Sequence, residues 1–101
     1  MNDLFAWLSQ QHHGLGTFRT FQRKLDDLIE AEPEHRALCR LLAGVAGRYI
    51  ETFDEKPLPV AVADGAHQRL LELVQGLDLQ AGAERRLADL NRVAACELWH
   101  G

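Results

Sequence analysis

The chain has 101 residues, 47% of them hydrophobic and 26% charged, with a formal charge of -4 and a pI near 5.7. That composition excludes a disordered chain and gives one domain, residues 1–101, able to bury about 60 to 65% of its unfolded surface. The acidic balance argues against the broad basic surface that gains counterion-release free energy on nucleic acid, so nucleic-acid binding is a minority reading.

Further classes fall away on simple counts. No apolar run approaches the roughly 20 residues needed to span a bilayer, and MNDLFAWLSQQ lacks the basic start and long apolar run of a signal peptide. Two cysteines, far apart in sequence, are too few for a disulfide scaffold, so a reduced, cytoplasmic protein with no membrane partner is expected. The preference for Arg over Lys, with frequent Ala, Leu and Gly, matches the bias of GC-rich bacterial genomes.

Residues 2–11 predict a short helix capped by Asn2 or Asp3, with Leu4, Phe5 and Leu8 on one face and Trp7 beside them. The polar side carries no Lys or Arg, which favours packing over a membrane-surface role. His12 to Gly16 breaks the pattern and reads as a solvated loop, its adjacent histidines pointing apart.

Thr17 is the expected N-cap of a helix over 18–31, whose apolar face holds Phe18, Phe21, Leu25, Leu28 and Ile29. Its first half carries Arg19, Arg23 and Lys24 and its second Asp26, Asp27 and Glu30, an order opposed to the helix dipole. Arg23 and Asp27 stand four apart and can pair. As a bipolar patch, Arg19, Arg23 and Asp27 are candidate partner-binding residues, although a solvated face explains the same split.

The segment 33–53 is the predicted centre of the core. Leu38, Leu41, Leu42, Val45, Tyr49 and Phe53 share one helical face, and Cys39, Ala46 and Ile50 widen it past half the circumference. Several neighbours must cover such a helix. Pro33 suits its first position, and Glu30, Glu32 and Glu34 place negative charge at the positive end of the dipole. Gly44 and Gly47 fall on the outer side, where each costs about 1 kcal/mol relative to alanine. They are candidates for close passage of another helix, from a second copy or a partner chain.

From 54 to 63 the helical pattern stops. Pro57 and Pro59, with Leu58, Val60 and Val62 alternating, predict an extended crossover, and Leu58 and Val60 are offered as further partner-contact residues. Asp64 is the expected cap of a helix over 65–77, with Leu70, Leu71, Val74 and Leu77 inward and His67 near its start. The last helix, 83–99, is expected to turn Leu87, Leu90, Val93, Ala94 and Leu98 inward and Arg85, Arg86, Asp89 and Arg92 outward. The architecture is therefore all-α, a bundle of four or five helices with one extended, proline-containing crossover.

The sequence carries no phosphate loop, G-x-S-x-G, H-E-x-x-H or EF-hand spacing, so neither catalysis nor a cofactor is expected. One constellation merits a test. His35 and Cys39 are four apart, as are Cys96 and His100, and two such pairs meeting would form a Cys2His2 set suited to zinc. Their wheel positions oppose the meeting, since Cys39 projects into the core face and Cys96 away from one. The leading expectation is a regulatory or accessory module that binds another protein or a second copy of itself. A metal- or thiol-responsive sensor is one alternative. An accessory nucleic-acid protein using Arg85, Arg86 and Arg92 with Arg36, Arg40 or Arg48 is another.

Overall fold

A computed structural model describes Met1 and residues 3–99. Among the described residues the chain forms five α-helices and no strand: α1 (Leu4–Ser9), α2 (Leu15–Ala31), α3 (Arg36–Phe53), α4 (Val60–Gln75) and α5 (Ala83–Ala95). A 3-10 turn, Pro33–His35, links α2 to α3. The all-α bundle expected from the periodicity is what the chain adopts.

α3 forms the centre, as its wide apolar face requires. Leu38, Cys39, Leu42, Val45, Ala46, Tyr49, Ile50 and Phe53 are all buried. α2 doubles back across the turn and lies along α3, with Phe18, Phe21 and Leu25 fully enclosed, and α5 covers another side. α4 adds Ala66, Leu70, Leu73 and Val74 to the same continuous core and holds α1 on its surface through Leu4 and Leu8. The Cα radius of gyration of 13.2 Å matches the roughly 13 Å expected of a compact chain of this length. An aromatic file runs from Phe18 through Tyr49 and Phe53 to Trp99, each ring tilted on the next at 4.7 to 5.4 Å. Tilted and edge-on pairs are the geometry that the ring quadrupoles favour.

Four local expectations need correction. α2 starts at Leu15 with Gly14 as its N-cap, not at Phe18 with Thr17 as the cap. Thr17 instead sits buried in the first turn, and its Oγ1 donates to the His12 carbonyl at 2.8 Å, closing the loop beneath it. The extended crossover stops at Pro59. A proline restricts the residue before it but leaves its own carbonyl free to open a helix, and the Ala63 N–H donates to that carbonyl at 3.0 Å. Val60 therefore stands 76% exposed in the first turn of α4, while Leu58 and Val62 pack at the core's edge. Asp64, one turn into α4, caps nothing.

The fourth correction concerns α5, which ends at Ala95 because Cys96 turns extended, with ψ 136. Leu98 reaches the core from this non-helical tail, and the Arg69 guanidinium donates to its carbonyl at 2.6 Å. The helix itself is rotated away from the face its apolar residues mark out. Leu87 is 59% exposed and Ala94 lies outside, whereas Asp89 is only 5% exposed. The Asp89 carboxylate faces inward because it accepts the Asp78 N–H at 3.0 Å and Arg85 Nε at 3.0 Å, with Arg92 at 3.3 Å.

The two glycines of α3 have different surroundings. A Cβ on Gly47 would come within 2.9 Å of Gln22 Nε2, the amide that donates to the Ala43 carbonyl at 3.1 Å. The helix passing closest at Gly47 is thus α2 of the same chain. A Cβ on Gly44 would meet only Arg48 Nη1, at 3.5 Å. Gly44→Ala is expected to stabilise the fold by about 0.5–1 kcal/mol, the helix-propensity gain alone. Gly47→Ala should be near neutral, because the same gain is offset by disturbing a hydrogen bond worth about 1 kcal/mol. Urea denaturation midpoints of the two variants measure the contrast.

Candidate functional site

Three polar groupings and one cleft stand out. The cleft lies between α1 and the second half of α2, has a volume of about 380 Å³, and is formed by Leu4, Trp7, Leu28 and Ala31 with Asp3, Lys24, Asp27 and Glu32 around them. Trp7 is half-buried, packed against the core on one side and lining the cleft on the other. Lys24 Nζ lies 4.8 Å from the centre of the Trp7 ring, a cation–π contact that holds the indole in place. Opposite, Glu32 Oε2 accepts the Met1 amino group at 2.6 Å.

The first polar grouping joins the loop after α1 to α4. His67 is 3% exposed, and its Nε2–H donates to the Leu8 carbonyl at 3.0 Å, tying the end of α1 to α4. The His13 ring stacks on it, with centroids 3.9 Å apart, and donates through Nδ1 to Asp64 Oδ1 at 2.7 Å. His12 turns the other way, and its Nδ1 accepts the Gly14 N–H at 3.0 Å. The adjacent histidines do point apart, but His13 is a structural clamp and not a free loop residue. Sequence reasoning had no signal for it, because His13 and Asp64 are 51 residues apart.

Burial pushes the His67 pKa below its ordinary value of 6.5, and His13 acts in the same direction. The bond to Leu8 and the charge of Asp64 oppose that shift without reversing it. In the window below pH 6.5 the unfolded chain thus binds the proton more readily. The His67 contribution to stability is complete above that pH and is lost as pH falls through the folded value. His67→Gln, which keeps a donor for Leu8 and does not titrate, should flatten the stability profile between pH 7 and pH 5. Urea melts of both proteins across that range provide the check.

The second grouping, Glu32, Glu34 and His35, has one ligand-type atom from each residue within 4.8 Å of the others. Two positive groups already occupy it: the Met1 amine on Glu32, and Arg86 Nη2, 3.4 Å from His35 Nδ1. A cation would have to displace both. The third is the Asp89 carboxylate with its two arginines, which joins α5 to the turn before it.

The Cys2His2 set is not assembled by the described residues. Cys39 is buried against Met1, its Sγ 3.8 Å from the Met1 Sδ, and burial with the charge of Glu32 pushes its thiol pKa up while the Met1 amine pulls the other way. Cys96 lies beside Arg48, which donates to its carbonyl at 3.3 Å. Arg48 is about two and a half turns, or roughly 13 Å, further along α3 than Cys39. Burial raises the Cys96 thiol too, against the pull of Arg48 and Arg69. Neither thiol has the lowered pKa of a reactive cysteine. His100 lies outside the described residues.

Of the other candidate residues, Arg19 is bound to Asp54 at 2.8 Å, and Arg23 reaches back to Thr20 at 3.0 Å instead of forward to Asp27. Asp27 stands at the rim of the cleft, while Leu58 packs on the core and Val60 is exposed. Arg85 and Arg92 are held by Asp89, Arg48 by Cys96 and Arg86 against His35, which leaves Arg36 and Arg40 exposed on α3. No described helix is long and apolar enough to cross a membrane. Comparison with protein-family models, with curated proteins and with solved structures gives no match.

Proposed function

We propose that the chain is a small cytoplasmic binding module, regulatory or accessory in role, that acts through protein contacts and has no catalytic activity of its own. The observation that carries this reading is the cleft between α1 and α2. It combines a half-buried Trp with aliphatic walls and a charged rim, the make-up of the anchor pockets that dominate protein interfaces. The polar clusters support it in a different way. His67 with His13, and Asp89 with its arginines, serve as clamps between elements, and neither has a nucleophile among its hydrogen-bond and stacking partners.

The test is site-specific photo-crosslinking in cells of the native host. Crosslinkers are placed in turn at Asp27, on the cleft, at Val60, exposed in the first turn of α4, and at Arg40, on the exposed side of α3. A discrete protein crosslinked from Asp27, or a second copy of the chain, supports the reading. A strict monomer at high concentration with no crosslinked protein from any of the three positions overturns it.

A further inference from the structure

The cleft also has a sign. α2 delivers its C-terminal end to it, and the last turn of that helix contains no basic residue to offset the negative end of the dipole. Asp27 and Asp3 stand exposed on the rim, Glu30 lies on the same closing turn, and Glu32 completes the arc. Two positive groups also line the cleft, the Met1 amine paired with Glu32 and Lys24 over Trp7, so the excess of negative charge rests on the exposed Asp3 and Asp27 and on the helix end. The walls beneath this acidic rim are Leu4, Trp7, Leu28 and Ala31. Apolar walls call for an apolar anchor, and the rim calls for positive charge around it.

We infer that the α1–α2 cleft receives a basic segment of a partner protein, one large apolar side chain entering beside Trp7 and flanking Arg or Lys residues meeting Asp3, Asp27 and the end of α2. This rests on the protein-binding reading above and narrows it to one surface and one partner chemistry. Trp7 contributes contact area at the cleft wall, with its ring already held by Lys24. A second copy of the chain fits less well, because its own net charge is negative.

The test titrates the full chain with a short synthetic peptide alternating arginine and leucine, and separately with its glutamate–leucine counterpart, following backbone amides and the Trp7 indole by NMR. The arginine peptide is expected to shift Trp7, Leu28 and their neighbours, more weakly as salt rises, and the glutamate peptide to leave them unmoved. Asp3→Asn with Asp27→Asn, at two exposed positions, should weaken the arginine peptide about 5- to 10-fold, near 1 to 1.4 kcal/mol. Equal binding of both peptides, unchanged affinity in the double variant, or no shift at all would overturn the inference. Shifts confined to another surface would also overturn it, while leaving the protein-binding reading intact.

Discussion

Phe21→Ala is expected to lower the stability by about 3–5 kcal/mol, whereas Leu87→Ala, which removes a large apolar side chain the wheel also assigns to the core, should change it by less than about 0.5 kcal/mol. Phe21 is fully enclosed where α2 lies along α3, and deleting a buried Phe side chain costs about 3–5 kcal/mol in lost transfer and cavity terms. A domain of this length has only about 5–15 kcal/mol of net stability. Leu87 stands 59% exposed on α5, so its truncation removes little area from contact. Val93 on the same helix is fully buried, and Val93→Ala should fall between the two, at about 1–3 kcal/mol. Urea denaturation of the three variants orders them as Phe21, Val93, Leu87 if α5 is seated as described. A Leu87 cost equal to that of Val93 would mean that the helix presents its other side.

The same contrast shows what the sequence could and could not reveal. α3 was legible because eight of its apolar side chains are buried on one broad face, and no partner elsewhere in the chain is needed to infer that. α2 was legible by the same logic except at its start, where two glycines resemble a turn although one caps the helix and the other lies within it. The start of α4 was hidden by prolines, whose restriction acts backwards along the chain. α5 was misjudged because helical periodicity treats every carboxylate as outward, while Asp89 is turned in by a loop N–H and by a guanidinium on its own helix. Of the cleft, Trp7 and Asp27 were visible as residues but not as neighbours. Their meeting depends on where α1 is seated, and α1 is held to α4 by Leu4 and Leu8 in the core and by the His67 bond to Leu8, contacts with no local signature.

Asp89→Ala is the polar counterpart of the Phe21 experiment and should cost about 2–3 kcal/mol. The side chain is buried, and removing it takes away the charged acceptor of the part-buried Asp78 N–H, a bond worth about 1.5–3 kcal/mol. The two arginines add less, since both are about half exposed and such pairs are each worth under about 1 kcal/mol. Burial alone would raise the Asp89 pKa, but the Asp78 hydrogen bond, with Arg85 and Arg92, outweighs it and holds the carboxyl below its ordinary value of 3.8. With the folded pKa depressed, the stabilisation is complete above that value and is lost as pH falls through the folded one. The gap between the wild-type and Asp89→Ala curves should therefore be widest at neutral pH and narrow in acid, where only the charge-dependent part is lost and the neutral carboxyl can still accept from Asp78. Asp89→Asn separates the contributions: its amide oxygen can still accept from Asp78 while the charge is gone, so it should recover most of the lost stability yet no longer show this acid dependence. If Asn were as damaging as Ala, the arginine pairs and not the loop N–H would be what holds α5 to the turn before it.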